Sequence, residues 1–457
     1  MHDHPATELP ASFLWGAATA AYQIEGAATL HGRGPSIWDE FARRPGAVAN
    51  GDTGDVACDH LAHMREDVEL MAGLGLNAYR FSVSWPRVLP RGIGQANVRG
   101  LDVYDRLVDL LLEHGIRPFL TLYHWDLPQA LQERGGWGSP DAPKWFAEYA
   151  SVVASRVGDR VRDWTTLNEP QVFAFAGHLA GHHAPGLTDW RLALRVVHHA
   201  LLAHRTAADA LRSLLRGPRI GIALDLHDCH PLTRLPDDEA AAVRMDGSQN
   251  RWFLDPLFGR GYPRDLVAAY GSLLPRGAVD AMHHYHGRLD FLGLNYYSPY
   301  RVEASSELPL RAALVEPAVP ERTAMGWEVR PVGLRQVLER LAREYGPPAL
   351  YVTENGAAYD DEPDSSGLVD DEDRRSYFDR HVAEAARAVQ AGVPLEGYFA
   401  WSLLDNFEWA EGYDKRFGLV RGDFPTQTRT VKASGTWYRG LIAAWRRRVV
   451  AARPDGI

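Results

Sequence analysis

Short apolar runs alternate with amphipathic stretches along the whole chain, and this alternation constrains the fold more than any other feature. Eight runs rich in aliphatic, β-branched and aromatic residues are predicted to be buried strands, and helical patterns follow most of them. The predicted strands cover residues 13–20, 78–85, 117–125, 164–168, 220–225, 291–297, 350–353 and 397–403.

The stretches between the strands place apolar residues at helical spacing, for example over residues 66–74, 101–114 and 145–157. Strands that alternate with helices form a parallel sheet with right-handed crossovers. Eight such repeats in 457 residues predict a single (β/α)8 TIM barrel. Long stretches precede the second, fifth, sixth and seventh strands, which predicts long βα loops on the catalytic face.

No linker rich in Pro, Gly or Ser divides the chain, so residues 1–457 are predicted to form one catalytic domain. The first eight or so residues are expected to be a loose tail. The polar segments 50–55 and 360–373 are expected to be solvated loops.

Composition excludes several classes of protein. The net charge of −10 argues against a nucleic-acid or anionic-membrane partner. No apolar run approaches the roughly 18 residues that a membrane span needs. Two cysteines, Cys58 and Cys229, provide no disulfide framework and fit a reducing compartment. The N-terminus lacks the basic and apolar regions of a signal peptide, so a cytoplasmic location is predicted.

Two of the predicted strands end in a glutamate followed by a turn. Glu354 ends the run that begins at residue 350, and Glu169 follows the run that ends at residue 168. A buried parallel strand exposes only its C-terminal tip, so both carboxyl groups are expected at the mouth of the barrel. An acidic turn is common after any single strand. Two such glutamates together are the smallest set of carboxyl groups that usually suffices to cleave a glycosidic bond.

Strand tips on a barrel share one pocket, so residues distant in sequence become neighbours. The other predicted tip residues are amides, aromatics and one cation, which suit a neutral polyol. The sequence shows no Gly-rich phosphate cradle and no cysteine pair for zinc at these tips, so no cofactor and no metal is predicted. The histidines at 182–183, 198–199 and 283–286 are predicted to be solvated or capping residues. The tip residues are Gln23, Arg80, His124, Trp125, Asn168, Asn295, Tyr297 and Trp401.

Five motifs together make the sequence resemble glycoside hydrolase family 1, the β-glucosidase family, over nearly its whole length. Each motif alone is moderately specific, but all five occur in order and on the expected strands. They are Phe13-Leu14-Trp15-Gly16 with Tyr22-Gln23-Ile24-Glu25-Gly26, Tyr79-Arg80-Phe81-Ser82, Thr166-Leu167-Asn168-Glu169-Pro170, Tyr351-Val352-Thr353-Glu354-Asn355-Gly356, and Trp401-Ser402-Leu403-Leu404-Asp405-Asn406-Phe407-Glu408-Trp409.

The resemblance implies catalytic roles for four residues. Glu354 would be the nucleophile that forms a glycosyl ester, and Glu169 would be the general acid and base. Arg80 and Tyr297 would keep Glu354 ionised, because a cation and an OH donor favour the charged form. Glu169 would need a raised pKa to serve as a proton donor. A retaining mechanism implies carboxyl groups roughly 5–5.5 Å apart.

The resemblance also implies the substrate-binding residues. Glu408 would bind a sugar hydroxyl, and its negative charge would repel a 6-phosphorylated sugar. Asn168 would bind the 2-hydroxyl group. Trp401 would stack under the sugar ring, and Trp327 would line the entrance where the leaving group binds. The remaining substrate-binding residues would be Gln23, His124, Trp125, Asn295 and Trp409.

The predicted function is a retaining exo-β-glycosidase that removes terminal non-reducing β-D-glucosyl residues from small β-glycosides or short β-linked oligosaccharides. Galactosidase and fucosidase activities stay open, because they depend on fine placement around Gln23 and Glu408. Two alternatives also stay open: a transglycosylase with the same glutamate pair, and a sugar-binding relative that does not hydrolyse. The sequence predicts no oligomeric state.

Overall fold

The computed structural model describes residues 4–316 and 318–451. Eight parallel strands close into a barrel in the order β1-β8-β7-β6-β5-β4-β3-β2. The predicted TIM barrel is therefore confirmed. The barrel strands are β1 (Leu14–Ala18), β2 (Ala78–Ser82), β3 (Arg117–Tyr123), β4 (Asp163–Asn168), β5 (Arg219–Asp225), β6 (Phe291–Asn295), β7 (Leu350–Asn355) and β8 (Leu395–Trp401).

The longer helices connect these strands, as the sequence pattern predicts. For example, α2 packs on β3, α4 packs on β4 and α7 packs on β8. No helix in the described ranges is both long and apolar enough to cross a membrane. The helices longer than ten residues are α1 (His60–Gly73), α2 (Val98–Glu113), α3 (Ala142–Val157), α4 (Trp190–Leu214), α5 (Pro236–Asp246), α6 (Pro331–Glu344), α7 (Glu372–Gln390) and α8 (Ala433–Ala451).

Four aromatic rings fill the interior of the barrel. Phe119 on β3 lies 5.1–5.2 Å, centroid to centroid, from Phe291 on β6, Tyr351 on β7 and Phe399 on β8. Glycine on neighbouring strands makes room for two of them. A Cβ atom at Gly16 would lie 2.3 Å from the Phe399 ring. The large aromatic rings therefore require glycine at the facing positions of neighbouring strands.

Several predicted strands extend too far at their C-terminal ends. The second strand ends at Ser82, because Trp85 already begins a short helix, Trp85–Val88. The third ends at Tyr123, and Trp125 beyond it has a positive φ of 76°. Apolar residues beyond these tips are buried in the loops, so hydrophobicity continues after the strand geometry has ended.

The long βα connections carry additional elements, as predicted. A small sheet pairs Cys229–Pro231 with Tyr300–Ala304, which in turn pairs with Ala312–Leu314, and α5 packs on it. A hairpin of Val420–Asp423 and Thr428–Val431 follows β8. The short helical segments are Pro5–Glu8, Ala21–Ile24, Ile37–Ala42, Ala49–Gly51, Trp85–Val88, Gln129–Gln132, Gly136–Gly138, Pro170–Phe175, Ala176–Ala180, Gly247–Arg251, Trp252–Leu257, Arg264–Tyr270, Gly271–Leu273, Ala278–His283 and Trp409–Glu411.

The N-terminus differs from the predicted loose tail. Pro5–Glu8 form a 3-10 helix in which Ala6 and Thr7 are buried. The backbone N–H of Ala6 donates a hydrogen bond to Nδ1 of His4 at 3.2 Å, which caps the turn. The prediction is wrong for these residues because two small side chains suffice to bury the turn. Residues 1–3 of the predicted tail lie outside the described residues.

A buried charge network connects the loops that follow β7 and β8. The Lys432 ammonium group contacts the carboxylates of Asp361 and Asp405, the latter at 2.7 Å. Arg374 contacts Asp361 and also Asp371 at 2.6 Å. All five side chains are nearly inaccessible to solvent, so the predicted solvated loop over 360–373 is wrong at Asp361 and Asp371. Pairing with Arg374 and, for Asp361, also with Lys432 explains the burial of these carboxylates.

Replacing Lys432 tests how strongly this network stabilises the fold. Lys432→Met leaves two buried carboxylates without their shared cation, and we expect a loss of about 3–5 kcal/mol in the free energy of unfolding. Guanidinium denaturation of the variant and the parent measures this loss. Arg448→Met is the matched control, because Arg448 pairs with Glu8 at the exposed surface. We expect a loss of at most about 1 kcal/mol there. Equal losses would contradict the assignment.

Candidate active site

The C-terminal ends of the barrel strands open into a cavity of about 910 Å³. This volume lies at the upper end of the range for small-molecule sites. Four predicted site residues, Gln23, Arg80, Asn168 and Asn295, are buried behind the cavity wall. The structure thus brings the predicted site residues together. Those that line the cavity are His124, Trp125, Glu169, Tyr297, Trp327, Glu354, Trp401, Glu408 and Trp409.

Glu354 lies near the tip of β7 with two donors on its carboxylate. The Arg80 guanidinium donates to Oε1, and the Tyr297 hydroxyl donates to Oε2 at 2.6 Å. Burial raises the pKa of Glu354, and the Arg80 charge and the Tyr297 hydrogen bond act in the opposite direction. Both donors stabilise the ionised form, which is the form that can attack carbon.

Glu169 stands directly after β4 in a left-handed conformation with φ of 47°. Its backbone N–H donates to the Ala223 carbonyl on β5 at 2.9 Å, and Pro170 begins the helix Pro170–Phe175 immediately after it. Proline favours the first position of a helix, so the turn is fixed on both sides. Strained backbone of this kind is typical of functional sites.

The surroundings of Glu169 favour its protonated form. Burial raises the pKa of Glu169 well above its usual range, and the carboxylates of Asp225 and Glu354 raise it further. One hydrogen bond, from Asn295 Nδ2 to Oε1 at 2.6 Å, acts against this shift. Two carboxyl groups in one cavity therefore have opposite tendencies, one toward proton donor and one toward anion, as acid and nucleophile require.

A layer of amides connects the two glutamates. Asn168 Oδ1 accepts hydrogen bonds from Arg80 at 2.6 Å and from Asn295 at 3.1 Å. Asn295 Nδ2 also donates to Glu169, and its Oδ1 accepts from Thr353 at 2.7 Å. Both amide hydrogens of Asn295 are engaged, so none is left for a sugar. Asn295 orients Glu169 in this structure, which differs from the predicted role in substrate binding.

His124 is held as a neutral donor. Its Nε2 lies 3.1 Å from Asn168 Nδ2, an N–H group, so Nε2 accepts and Nδ1 carries the proton. Burial and the Arg80 charge lower the pKa of His124 well below its usual range. The imidazole stacks on Trp401 with centroids 5.8 Å apart. A neutral N–H beside an aromatic face suits a sugar hydroxyl.

Glu408 departs from the charge state assumed in the sequence argument. Gln23 Nε2 donates to Glu408 Oε2 at 3.3 Å and to the Phe407 carbonyl at 2.9 Å. Burial and the Glu354 charge raise the pKa of Glu408 to about 8. Most Glu408 is therefore protonated at neutral pH. The predicted repulsion of a phosphorylated sugar needs the ionised form, so it acts fully only above that pH.

Aromatic rings form much of the cavity wall. The Trp125 ring lies 4.5 Å from the Trp409 ring at an interplanar angle of 38°, and the Nε1–H of Trp125 donates to the Asn168 carbonyl at 3.0 Å. Trp327 lies 5.4 Å from the Tyr297 ring and is only partly buried, at the position predicted for the entrance. Both the cavity wall around Trp125 and Trp409 and the entrance at Trp327 thus offer apolar faces to a sugar ring.

Sequence reasoning missed part of the site. His182 and His183 both line the cavity. His182 is exposed, as predicted, whereas His183 is partly buried. Burial lowers the pKa of His183 to about 3, and its ring lies 5.5 Å from Trp125. Asp225 and His227 also line the cavity. An acidic residue at a strand tip, the signal that marked the two glutamates, could have identified Asp225.

A closed barrel whose cavity holds two glutamates, one paired with a cation and the other beside further carboxylates, matches the active-site class of glycoside hydrolases. The chain belongs to glycosyl hydrolase family 1, whose sequence profile matches residues 6–446. Beta-glucosidase A of Thermotoga maritima is 48% identical over 95% of this chain and 98% of its own length. A 1,4-beta-D-glucan glucohydrolase of Thermotoga neapolitana is likewise 48% identical, with the same coverage.

Solved structures agree with this membership. The family 1 β-glucosidase of Thermotoga maritima has a TM-score of 0.94 and covers 96% of this chain and 98% of its own. The same enzyme in complex with deoxynojirimycin also has a TM-score of 0.94 and covers 96% and 99%. Sequence identity is 48% for both structures.

Removing one donor tests the assignment of Glu354 as the ionised carboxylate. Because the Tyr297 hydrogen bond lowers the pKa of Glu354, Tyr297→Phe should move the acidic limb of the kcat/KM profile to higher pH. We also expect kcat/KM to fall by about tenfold or more, since a hydrogen bond to a charged group contributes about 1.5–3 kcal/mol. Tyr413→Phe is the control, because that hydroxyl donates to the distant Thr53 carbonyl. An unmoved acidic limb would contradict the assignment.

Proposed function

We propose that this chain is a retaining β-glucosidase that hydrolyses terminal non-reducing β-D-glucosyl residues of small glycosides. The observation that carries the proposal is the opposite environment of Glu354 and Glu169 in one cavity. Relatives at 48% identity that bear the names β-glucosidase and glucan glucohydrolase support the choice of glucose. A cavity of about 910 Å³ has room for the sugar and its leaving group.

The first step forms a covalent intermediate. The Glu354 carboxylate attacks the anomeric carbon from the face opposite the leaving group, and the glycosidic bond breaks. Glu169 gives its proton to the departing oxygen, so the leaving group departs as a neutral alcohol. Arg80 and Tyr297 hold the carboxylate in place until the ester forms.

The second step returns the enzyme to its starting state. Glu169 is now a carboxylate and removes a proton from water, whose oxygen attacks the anomeric carbon. The bond between that carbon and Glu354 breaks, and Glu354 leaves as a carboxylate. Two inversions at one carbon give net retention, so the glucose released first is the β-anomer.

The wall around Glu408 positions the glucosyl ring. His124 offers an N–H, and Glu408, held by Gln23, offers a carboxyl group to the sugar hydroxyls. Trp401 provides an apolar face between them and stacks with His124. Trp327, partly buried at the entrance, provides a surface for the leaving group. A panel of aryl β-glucosides, β-galactosides and β-fucosides measures the preference of this wall.

Replacing each glutamate in the presence of azide tests the two roles. Glu354→Gly should lower kcat/KM for an aryl β-glucoside by about four orders of magnitude or more, as loss of a nucleophile does elsewhere. Azide then takes the vacated face and should give the α-glucosyl azide. Glu169→Ala should lower kcat/KM by about 10²–10⁴-fold when the leaving group needs a proton. Azide should there attack the glycosyl ester and give the β-glucosyl azide.

The configuration of each azide product, read by proton NMR, decides the roles. Glu316→Gly is the control, because Glu316 lines the cavity but is exposed, and we expect near-parent activity. Azides of the opposite configuration would exchange the two roles. Parent-level hydrolysis by Glu354→Gly would contradict the proposal altogether.

A further inference from the structure

An Asp–His pair in the cavity wall takes no part in the mechanism described so far. Asp225 ends β5, and its Oδ2 lies 2.9 Å from Nε2 of His227. The two side chains are 14% and 6% exposed, so the pair is largely screened from solvent. Both residues line the cavity. A buried titratable pair at a strand tip calls for a reason, since burying charge is costly.

The pair borders the acid/base glutamate. Asp225 lies opposite Asn295 in the register of β5 and β6, and Asn295 donates to Glu169. Gln171, two residues after Glu169, donates to the Asp225 carbonyl at 3.0 Å. In the barrel order, β5 lies opposite β1, and the helix Ala21–Ile24 that follows β1 carries Gln23. Asp225 therefore adjoins Glu169 on the side of the cavity away from the predicted glucosyl wall.

The hydrogen-bond geometry requires a shared proton in the pair. Nε2 of His227 faces the Asp225 carboxyl oxygen, and Nδ1 faces the Ser298 carbonyl oxygen at 3.1 Å. A carbonyl cannot donate, so Nδ1 carries a hydrogen, and one further proton must lie between Nε2 and Oδ2. The Tyr300 ring stacks on the imidazole at 3.5 Å and holds its plane.

The Asp225 carboxylate places a negative charge beside the active site. The titratable groups that experience the Asp225 charge are Glu169, Glu354, Tyr300 and Cys229. In the described part of the chain, the one ion pair of Asp225 is with His227, and its buried Oδ1 has no hydrogen-bond partner. No Lys or Arg side chain in these ranges is close enough to neutralise the charge.

We propose that Asp225, oriented by His227, is a positioning residue that keeps Glu169 protonated as the solution becomes alkaline. The proposal rests on the proposed function of Glu169 as proton donor. The negative charge on the Asp225 carboxylate disfavours a second anion at Glu169. In agreement with this, the negative charge of Asp225 raises the pKa of Glu169. Glu169 therefore stays protonated to a higher pH than it would without Asp225.

Asp225→Asn tests the proposal with little change in shape. The Asn amide can donate to Nε2 while Nδ1–H still donates to the Ser298 carbonyl, so every hydrogen bond of the pair is retained. We expect the alkaline limb of kcat/KM for phenyl β-glucoside to move to lower pH by on the order of one unit. The acidic limb, which reports Glu354, should move in the same direction but less, because Asp225 has a smaller effect on Glu354, which keeps its own cation.

Two controls separate this role from a structural one. Dinitrophenyl β-glucoside needs no proton on its leaving group, so the shift of the alkaline limb should disappear with that substrate. Glu316→Gln removes a different carboxylate that lines the cavity, and it should leave both limbs in place. Thermal unfolding of each variant at pH 7 should match the parent and confirm folding.

Other outcomes would overturn the proposal. An unmoved alkaline limb in folded Asp225→Asn would show that Asp225 does not act on Glu169. A loss of kcat/KM of equal size at every pH would instead mark Asp225 as a leaving-group contact. If the parent chain hydrolyses no glycoside, the proposed function fails, and a carbon-13 titration of the Glu169 carboxyl group still decides the inference. That titration should show a lower pKa in Asp225→Asn than in the parent.

Discussion

The contact between the Arg80 guanidinium and the Glu354 carboxylate is the interaction on which the site depends. Arg80 is 1% exposed, and a buried cation is stable only when charged or polar partners surround it. Its partners come from different strands: Glu354 from β7 and Asn168 from β4. Closure of the barrel therefore brings the nucleophile, its cation and the amide layer together in one step of folding.

The fold gives the chemically identical side chains of Glu354 and Glu169 different catalytic roles. Glu354 receives a cation and a hydroxyl, whereas Glu169 receives a single amide and two neighbouring carboxylates. Burial raises the pKa of both, so the difference arises from these neighbours. Asp225, on the leaving-group side of the cavity, contributes to this difference in pKa. On the glucosyl side, burial and Glu354 raise the pKa of Glu408 to about 8. The proton affinity of these carboxyl groups is thus set by residues on six of the eight strands or on the loops that follow them.

The number of strands could be predicted from the sequence because each strand is a short apolar run. The two glutamates could be predicted because each stands at or directly after the end of such a run. The charge state of Glu408 could not, since it depends on burial and on Glu354. The burial of Asp361 was missed because its cation, Lys432, lies far away in sequence. The role of Asn295 depends on which hydrogens its neighbours engage, and only the assembled barrel shows that.

Covalent trapping tests the central claim most directly. A 2-deoxy-2-fluoro-β-glucoside with an activated leaving group should glycosylate the nucleophile and release it slowly, because fluorine destabilises the oxocarbenium-like transition states of both steps and the activated leaving group offsets this only in the first step. Mass spectrometry of the digested protein should then find one fluoroglucosyl group, on the peptide that contains Glu354 and specifically on that residue. A label on Glu169, or rapid turnover of the activated glycoside through no covalent adduct, would contradict the account.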